Sequence, residues 1–163
     1  MSFIKTITLE VGCNVGNQLR HLQSMNYGNL YGVELQWYAV QKAKSLTKEI
    51  NIIQGTAYDI PFKNKYFDLV FTSGVLIHIS PTDIKKTIQE MYRVSKRYIW
   101  GFEYYSDTYK EVEYRGSNKA LWKGDFASLF LTEFPDLRLV KQVKVPYLEN
   151  ENVDSMYLLE KVQ

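Results

Sequence analysis

The sequence predicts an α/β domain built on a mainly parallel sheet with helices on both faces. Two observations carry that prediction. Short apolar runs alternate along the chain with segments of helical period, and the first run ends in a glycine-containing loop that opens onto a helix. At 163 residues the chain suits one domain, 1–163, around a single core.

Each element follows from local pattern. Thr6 to Val11 reads as the first strand and stops at "GCNVG", after which Val15, Leu19 and Leu22 recur at helical spacing. "NLYGVEL" supplies a second strand ending near Glu34, and "QWYAVQKAKSLTK" a helix of good formers. "INIIQG" is the third strand. "FDLVFTSGVL", almost unbroken in its apolarity, suits a central strand covered on both faces. "SPTDIKKTIQEMYRV" carries a helix start, with Ser80 as N-cap, Pro81 at the first helical position and Asp83 in the first turn. Ile84, Ile88 and Met91 form its apolar stripe, and "RYIWGFEYY" is the fifth strand. Ser106 to Gly124 is polar, tyrosine-rich and aperiodic, a length of irregular chain that compact domains usually keep for function. "DFASLFLTEF" predicts a short helix, and "LRLVKQVKVPY" with "VDSMYLLEKV" a closing antiparallel pair, which brings the strands to seven.

Composition narrows the function classes. Apolar residues at 45% and charged residues at 23% describe an ordinary globular protein, and a net charge of +2 is too small to signal nucleic acid or an anionic membrane. The single cysteine, Cys13, excludes an internal disulfide and argues against a cysteine-based metal site; the expectation is a small residue in the loop rather than a nucleophile. The N-terminus "MSFIKTITLEVG" has no signal-peptide pattern and no window is apolar enough to span a bilayer, so the cytoplasm is the expected compartment and no membrane partner is expected. No His, Cys and carboxylate cluster has metal-ligand spacing, so no metal is expected.

The glycine loop is not one for a dinucleotide. The pattern G-x-G-x-x-G needs glycine where this chain has Gly12, Asn14 and Asn17, and two of the three fail. Glu10, just before the loop, would repel a pyrophosphate but suits a ligand that is cationic at that end. Glu34 closes the second strand 22 residues after Gly12, where an acid accepts ribose hydroxyls. A nucleoside with a cationic tail meets both demands, and S-adenosylmethionine is such a molecule.

At these residues the chain resembles the class I methyltransferase family. The family's first motif, acid-x-G-x-G-x-G, is matched by Glu10, Gly12 and Gly16, with Asn14 in place of the central glycine; asparagine also tolerates positive φ. "GTAYDIPFKNKYFDLVFTSGVLIHI" is similar to the later motifs. The resemblance implies a Rossmann-like, mostly parallel seven-stranded sheet with an antiparallel C-terminal hairpin, and S-adenosylmethionine as cofactor. It places Thr56 where the pattern has an acid contacting the adenine amino group, gives Ala57 a backbone N–H toward adenine, and sets Ser73 and Gly74 under the methionine. Asn17 and Leu35 complete the expected cofactor set. A narrower resemblance, carried by "LEVGCNVGN", "SGVLIHI", "GFEYYS", "YRG" and "LLEK", is to the methylases associated with pseudaminic acid biosynthesis. Those relatives carry residues before the first strand, so N-terminal cap helices are expected to be absent here.

The implied reaction needs an acceptor held in line with the departing sulfur and, for a hydroxyl, a base. His78, Glu103 and Asp107 follow the fourth and fifth strands, where ligands bind in open α/β sheets, and are the candidate bases. His78 has the alternative of capping the next helix or lining the cofactor, and Glu103 that of accepting N–H groups from the following loop. Tyr104, Tyr105 and Trp122 are candidates to stack on a sugar or nucleotide, and Arg115 and Lys123 to grip phosphate, against the reading of a solvated loop. The expected partner is a small-molecule acceptor, with a nucleotide-sugar as the specific case, and the chain a monomer or homodimer. A nucleic-acid methyltransferase is disfavoured, because Ser73, Gly74, Val75 and Leu76 stand where base-methylating enzymes carry [DN]-P-P-[YF]. A binding protein or scaffold with little turnover is the remaining alternative.

Overall fold

A computed structural model describes residues 5–113, 116 and 120–162. The seven-stranded sheet runs β3-β2-β1-β4-β5-β9-β8, formed by β1 (Thr8–Val11), β2 (Leu30–Glu34), β3 (Asn51–Gln54), β4 (Phe67–Ser73), β5 (Ser95–Tyr104), β8 (Leu137–Pro146) and β9 (Val153–Lys161). β1 to β5 are mutually parallel, and β9 is antiparallel to both β5 and β8. A separate two-residue ladder joins β6 (Lys110–Glu111) to β7 (Trp122–Lys123) inside the stretch expected to be irregular. The predicted α/β fold with its C-terminal antiparallel pair is the fold observed.

Helices cover both faces. On one, α1 (Asn17–Ser24) and α2 (Trp37–Leu46) bury Leu19, Val40 and Ala43 against Leu30, Ile52 and Phe71. On the other, α3 (Ile84–Val94) and α4 (Phe126–Glu133) bury Ile88, Met91, Phe126 and Phe130 against Val70, Ile99 and Leu159. Strand alternation explains the division: Leu9 and Val11 of β1 face α3 and α4, which turns Glu10 the other way. In β4 a bulge between Phe67 and Leu69 resets the alternation, so that Phe67 and Val70 share one core and Phe71 enters the other.

The link from β3 to β4 contains no helix. Instead Phe62 and Tyr66 pack edge-on against Tyr31 and Phe67. Arg93 on α3 pins that link by donating to the carbonyls of Phe62 (2.7 Å) and Ile60 (2.8 Å), while Glu90 accepts from the Ile60 N–H (2.7 Å).

Three boundaries differ from expectation. β1 starts at Thr8, two residues late. β4 ends at Ser73 rather than Leu76, because Gly74 takes φ +67 and Leu76–His78 form a 3₁₀ turn. α3 begins at Ile84 with Asp83 at its N-cap, not at Pro81. The Ser80 hydroxyl donates to the Asp83 carboxylate (2.7 Å) instead of accepting from a backbone N–H, and residues 81–83 form a turn ahead of the helix.

Candidate active site

The strand order changes direction between β1 and β4, which sit side by side while their following connections leave on different paths. Such a switch point opens a crevice at the C-terminal ends of the strands. Its floor is the glycine loop after β1 meeting the turn after β4. Gly12 has φ +73, and a Cβ there would lie 2.6 Å from a Val75 methyl, so glycine is what lets the two segments touch. The Gly12 and Cys13 N–H groups donate to the Val33 carbonyl (2.8 and 3.1 Å), tying the loop to β2. Asn14 adopts φ +48, a conformation asparagine tolerates better than most side chains.

Three cavities meet at Gly74. The largest, about 490 Å³, is lined by Gly12, Asn14, Glu34, Leu35, Thr56, Ala57 and Tyr58 and borders His78. The second, about 210 Å³, lies over the glycine loop between Glu10, Asn14, Asn17 and Ser73. A third, about 230 Å³, continues past Ser73 to Glu103, Tyr104, Tyr147 and Asp154. A Cβ on Gly74 would meet nothing within 4 Å, so the junction itself is open space.

The two acids named from the sequence differ in environment. Glu34 is fixed by the backbone: Oε2 accepts from the Asn14 N–H (2.9 Å) and Oε1 from the Gln36 N–H (2.8 Å). Each oxygen retains acceptor capacity beyond that bond, and Glu34 lines the cavity of about 490 Å³. Glu10 is only 1% exposed, and its Oε2 has no hydrogen-bond partner. Burial first, and the neighbouring Glu34 charge second, push its carboxyl from the usual range up to about 8. An orphaned carboxylate oxygen lining a cavity is satisfied by a ligand that brings a donor, best of all a cationic one.

Among the remaining sequence candidates, Gly16 precedes α1 with φ +80 and lines none of the three cavities. The Thr56 hydroxyl accepts from the Tyr58 N–H (3.2 Å) inside the adjoining loop. Cys13 is buried and its thiol is pushed up to about 12, chiefly by burial, which leaves it a packed residue rather than a thiolate. His78 is exposed and its Nδ1 donates to the Ala120 carbonyl (2.9 Å). Glu103 is fully enclosed; its oxygens accept from the N–H groups of Val75 (3.2 Å) and Ile77 (3.4 Å), so it holds the turn after β4, not the loop after β5. Burial raises its carboxyl to about 7 against those bonds.

Asp107 and Tyr105 lie at the surface side by side, joined by the Tyr105 hydroxyl, and line none of the three cavities. Trp122 is buried in β7 away from them. Lys123 directs its ammonium to Asn152 Oδ1 and lies 5.3 Å from the Tyr104 ring. Arg115 lies outside the described residues. Sequence reasoning missed Tyr147 and Asp154, which enter the site from β8 and β9. A carboxylate at the start of the last strand was the available signal.

Comparison with known proteins fits this geometry. A methyltransferase domain family profile matches residues 9–98, more than half of the chain. The chain belongs to the methyltransferase domain family. Within it, this methyltransferase domain is 31% identical over 93 residues to norajmaline N-methyltransferase of Rauvolfia serpentina, covering 53% of this chain and 31% of that protein. The matched part spans about a third of the length of such curated relatives. The fold is that of a SAM-dependent methyltransferase from Methanosarcina mazei (TM-score 0.77, 15% identity, 95% of this chain and 92% of that one). It is also that of 1,6-didemethyltoxoflavin-N1-methyltransferase from Burkholderia thailandensis, solved with its acceptor and S-adenosylhomocysteine (TM-score 0.78, 12% identity, 97% and 72%).

The methyl donor of the family is S-adenosylmethionine, and the residues present fit it. Glu34 lines the cavity of about 490 Å³, and Glu10 brings an unpartnered, buried oxygen to the one over the glycine loop, acceptors that a nucleoside with a cationic tail can use. Among the described residues no group of three or more His, Cys, Asp or Glu is placed to hold a metal, and no helix is long and apolar enough to cross a membrane.

Proposed function

We propose that this domain transfers a methyl group from S-adenosylmethionine to a small-molecule acceptor. The observation that carries the reading is the unpaired, buried Glu10 oxygen in the cavity that joins the other two at Gly74. In this reading the adenosyl part occupies the cavity between Glu34 and Ala57, and the methionyl part lies over the glycine loop with its ammonium toward Glu10. The bound donor supplies an electrophilic methyl on a sulfonium, next to Gly74. The chain's own contribution is positioning: Gly12 and Val75 bring the two loops together, Glu34 fixes the ribose, and Glu103 holds the turn whose Val75 lines both donor cavities.

The acceptor class proposed is a sugar or nucleotide-sugar of a surface-polysaccharide pathway, which rests on the sequence blocks "SGVLIHI" and "GFEYYS" and their relatives. The named relatives act on an alkaloid and on toxoflavin precursors, which supports a small molecule in general. Calorimetric titration with S-adenosylhomocysteine tests the donor site. The unmutated protein binds it, and Glu10→Gln, isosteric but uncharged, binds at least tenfold more weakly. Equal affinity in the two proteins would remove the assignment of Glu10 to the ammonium.

A further inference from the structure

The cavity beyond Gly74 contains no residue that the donor needs except the shared wall of Ser73 and Gly74. Its far wall is built by Phe102 and Tyr104 at the end of β5, Tyr147 after β8, and Asp154 near the start of β9. Tyr104 and Asp154 are direct cross-strand partners, so their side chains leave the sheet on one face. The Tyr147 ring stands 5.9 Å from that of Tyr104 at 66°, and its hydroxyl lies beside both the Tyr104 hydroxyl and the Asp154 carboxylate. Asp154 is 7% exposed.

Two carboxylates border this space, and they are not equivalent. Each Glu103 oxygen accepts from one backbone N–H, of Val75 or Ile77, and the side chain is held in the buried turn after β4. Asp154 stands beside the neutral Tyr147 hydroxyl, and the nearby Lys123 ammonium is directed to Asn152. A carboxylate with spare acceptor capacity, surrounded by three aromatic rings, is a site for a positively charged or proton-bearing nitrogen, which carboxylate and ring faces both attract. An anionic group there would meet like charge on two sides. The volume of about 230 Å³ is below the usual range of about 300–1,000 Å³ for drug-sized ligands, and so takes a single ring of the acceptor, such as one amine-bearing sugar ring.

We propose that this cavity is the acceptor site, that the acceptor presents an amine carried on a single ring, and that Asp154 binds that amine and takes its proton. The proposal rests on the methyltransferase reading above. In the step it describes, the nitrogen lone pair forms a bond to the methyl carbon, and the carbon–sulfur bond breaks with its electron pair remaining on sulfur. The proton lost from nitrogen passes to the Asp154 carboxylate and from there to solvent. Tyr147, beside that carboxylate, orients it toward the ring, and the Tyr104 face holds the ring in line with Gly74.

Three probes of one shape and three charges test it on the full chain saturated with S-adenosylhomocysteine: cyclohexylamine, cyclohexanol and cyclohexanecarboxylate. Binding is followed by amide NMR. Cyclohexylamine binds at least tenfold more tightly than cyclohexanol and shifts the Gly74 amide, and the carboxylate does not bind. In Asp154→Asn the amine and the alcohol bind alike while S-adenosylhomocysteine affinity is unchanged. In the unmutated protein the Asp154 carboxyl ¹³C resonance moves on adding the amine, a readout independent of how the variant folds. Failure of the amine to outbind the alcohol, an unmoved Asp154 resonance, or a preference that survives in Asp154→Asn overturns the proposal. Failure of S-adenosylhomocysteine itself to bind the unmutated protein overturns the donor reading instead.

Discussion

The loops bordering the two proposed donor cavities are anchored to the sheet and to α3, whereas the described part of the segment after β5 is held by Tyr109, whose hydroxyl donates to the Ile79 carbonyl (2.7 Å), by a short ladder and by contacts among surface side chains. On the donor side, Glu34 spans Asn14 and Gln36, Glu103 spans Val75 and Ile77, and Arg93 with Glu90 clamps the link that carries Thr56 and Ala57. Past β5, Tyr105 bonds Asp107 and lies 3.7 Å below the Lys144 ammonium, and the ladder of β6 with β7 is two residues long. A donor that does not vary can be met by backbone and charge held in place. The acceptor wall draws instead on the last strands and on the tyrosines that decorate them.

The strongest way to break that contrast is to release the clamp. Arg93→Ala removes two charged hydrogen bonds to backbone carbonyls and leaves Glu90 without its cation, at a cost of about 3 kcal/mol by the usual worth of such bonds. Urea unfolding should show that loss, and S-adenosylhomocysteine affinity should fall with it as the 56–58 loop loosens. A variant as stable as the unmutated chain would mean that the aromatic packing of Phe62 and Tyr66 holds the link unaided.

Next in size is Glu34→Ala. It deletes the acceptor proposed for the ribose and also frees the Asn14 and Gln36 N–H groups, so cofactor binding should weaken by about 2 kcal/mol, or roughly thirtyfold. Calorimetry reads this directly. The accompanying loss of stability should be the smaller effect, because both bonds that Glu34 accepts are exposed to solvent.

The donor side also has a pH signature. Glu10 is raised to about 8 and Glu103 to about 7, both by burial, so in the unliganded protein they keep protons that the unfolded chain gives up near the ordinary value of 4.5. Between those limits the folded state binds more protons than the unfolded one, so these groups lower stability as pH rises, with the full cost present above about pH 8. The melting temperature of the unliganded protein should fall between pH 5.5 and 8.5, and Glu10→Gln should flatten the decline. An ammonium beside Glu10 favours its ionised form, so binding near pH 7 should release a proton, measured as a difference in heat between two buffers. A slope unchanged in Glu10→Gln would place the titrating group elsewhere.

The same contrast decides what could be read from residues alone. The donor side is local in sequence: Glu10 to Asn17 lies on one strand and its loop, Glu34 ends the next strand, and Ser73 and Gly74 end another, so period and spacing suffice to bring them together. Asp154 and Tyr147 are not local. Their place depends on β9 inserting antiparallel between β5 and β8, which reverses its direction and sets its first residues beside the ends of the parallel strands. Nothing in "VDSMYLLEKV" states which strands it will join. The clamp escaped for a similar reason: Arg93 and Glu90 read as the polar face of an amphipathic helix, and their partners lie about thirty residues earlier. Glu103 was visible as a candidate, but its two backbone donors come from the turn after β4, a contact that only the parallel register creates.

The smallest expected effect is also the sharpest control on the comparison. Asp107 lies past the end of β5 while Glu103 is still within it, and the sequence offers both as candidate bases, Asp107 behind Glu103. Asp107→Ala, however, removes one exposed bond to the Tyr105 hydroxyl, a change worth less than about 0.5 kcal/mol at such a site. Stability, S-adenosylhomocysteine affinity and the amine preference should all stay within error of the unmutated protein, while Asp154→Asn abolishes the last of these. If Asp107→Ala instead erased the preference for cyclohexylamine, the acceptor would have to approach from the surface side of Tyr105. The wall made by Tyr147 and Asp154 would then be the back of the site rather than its front.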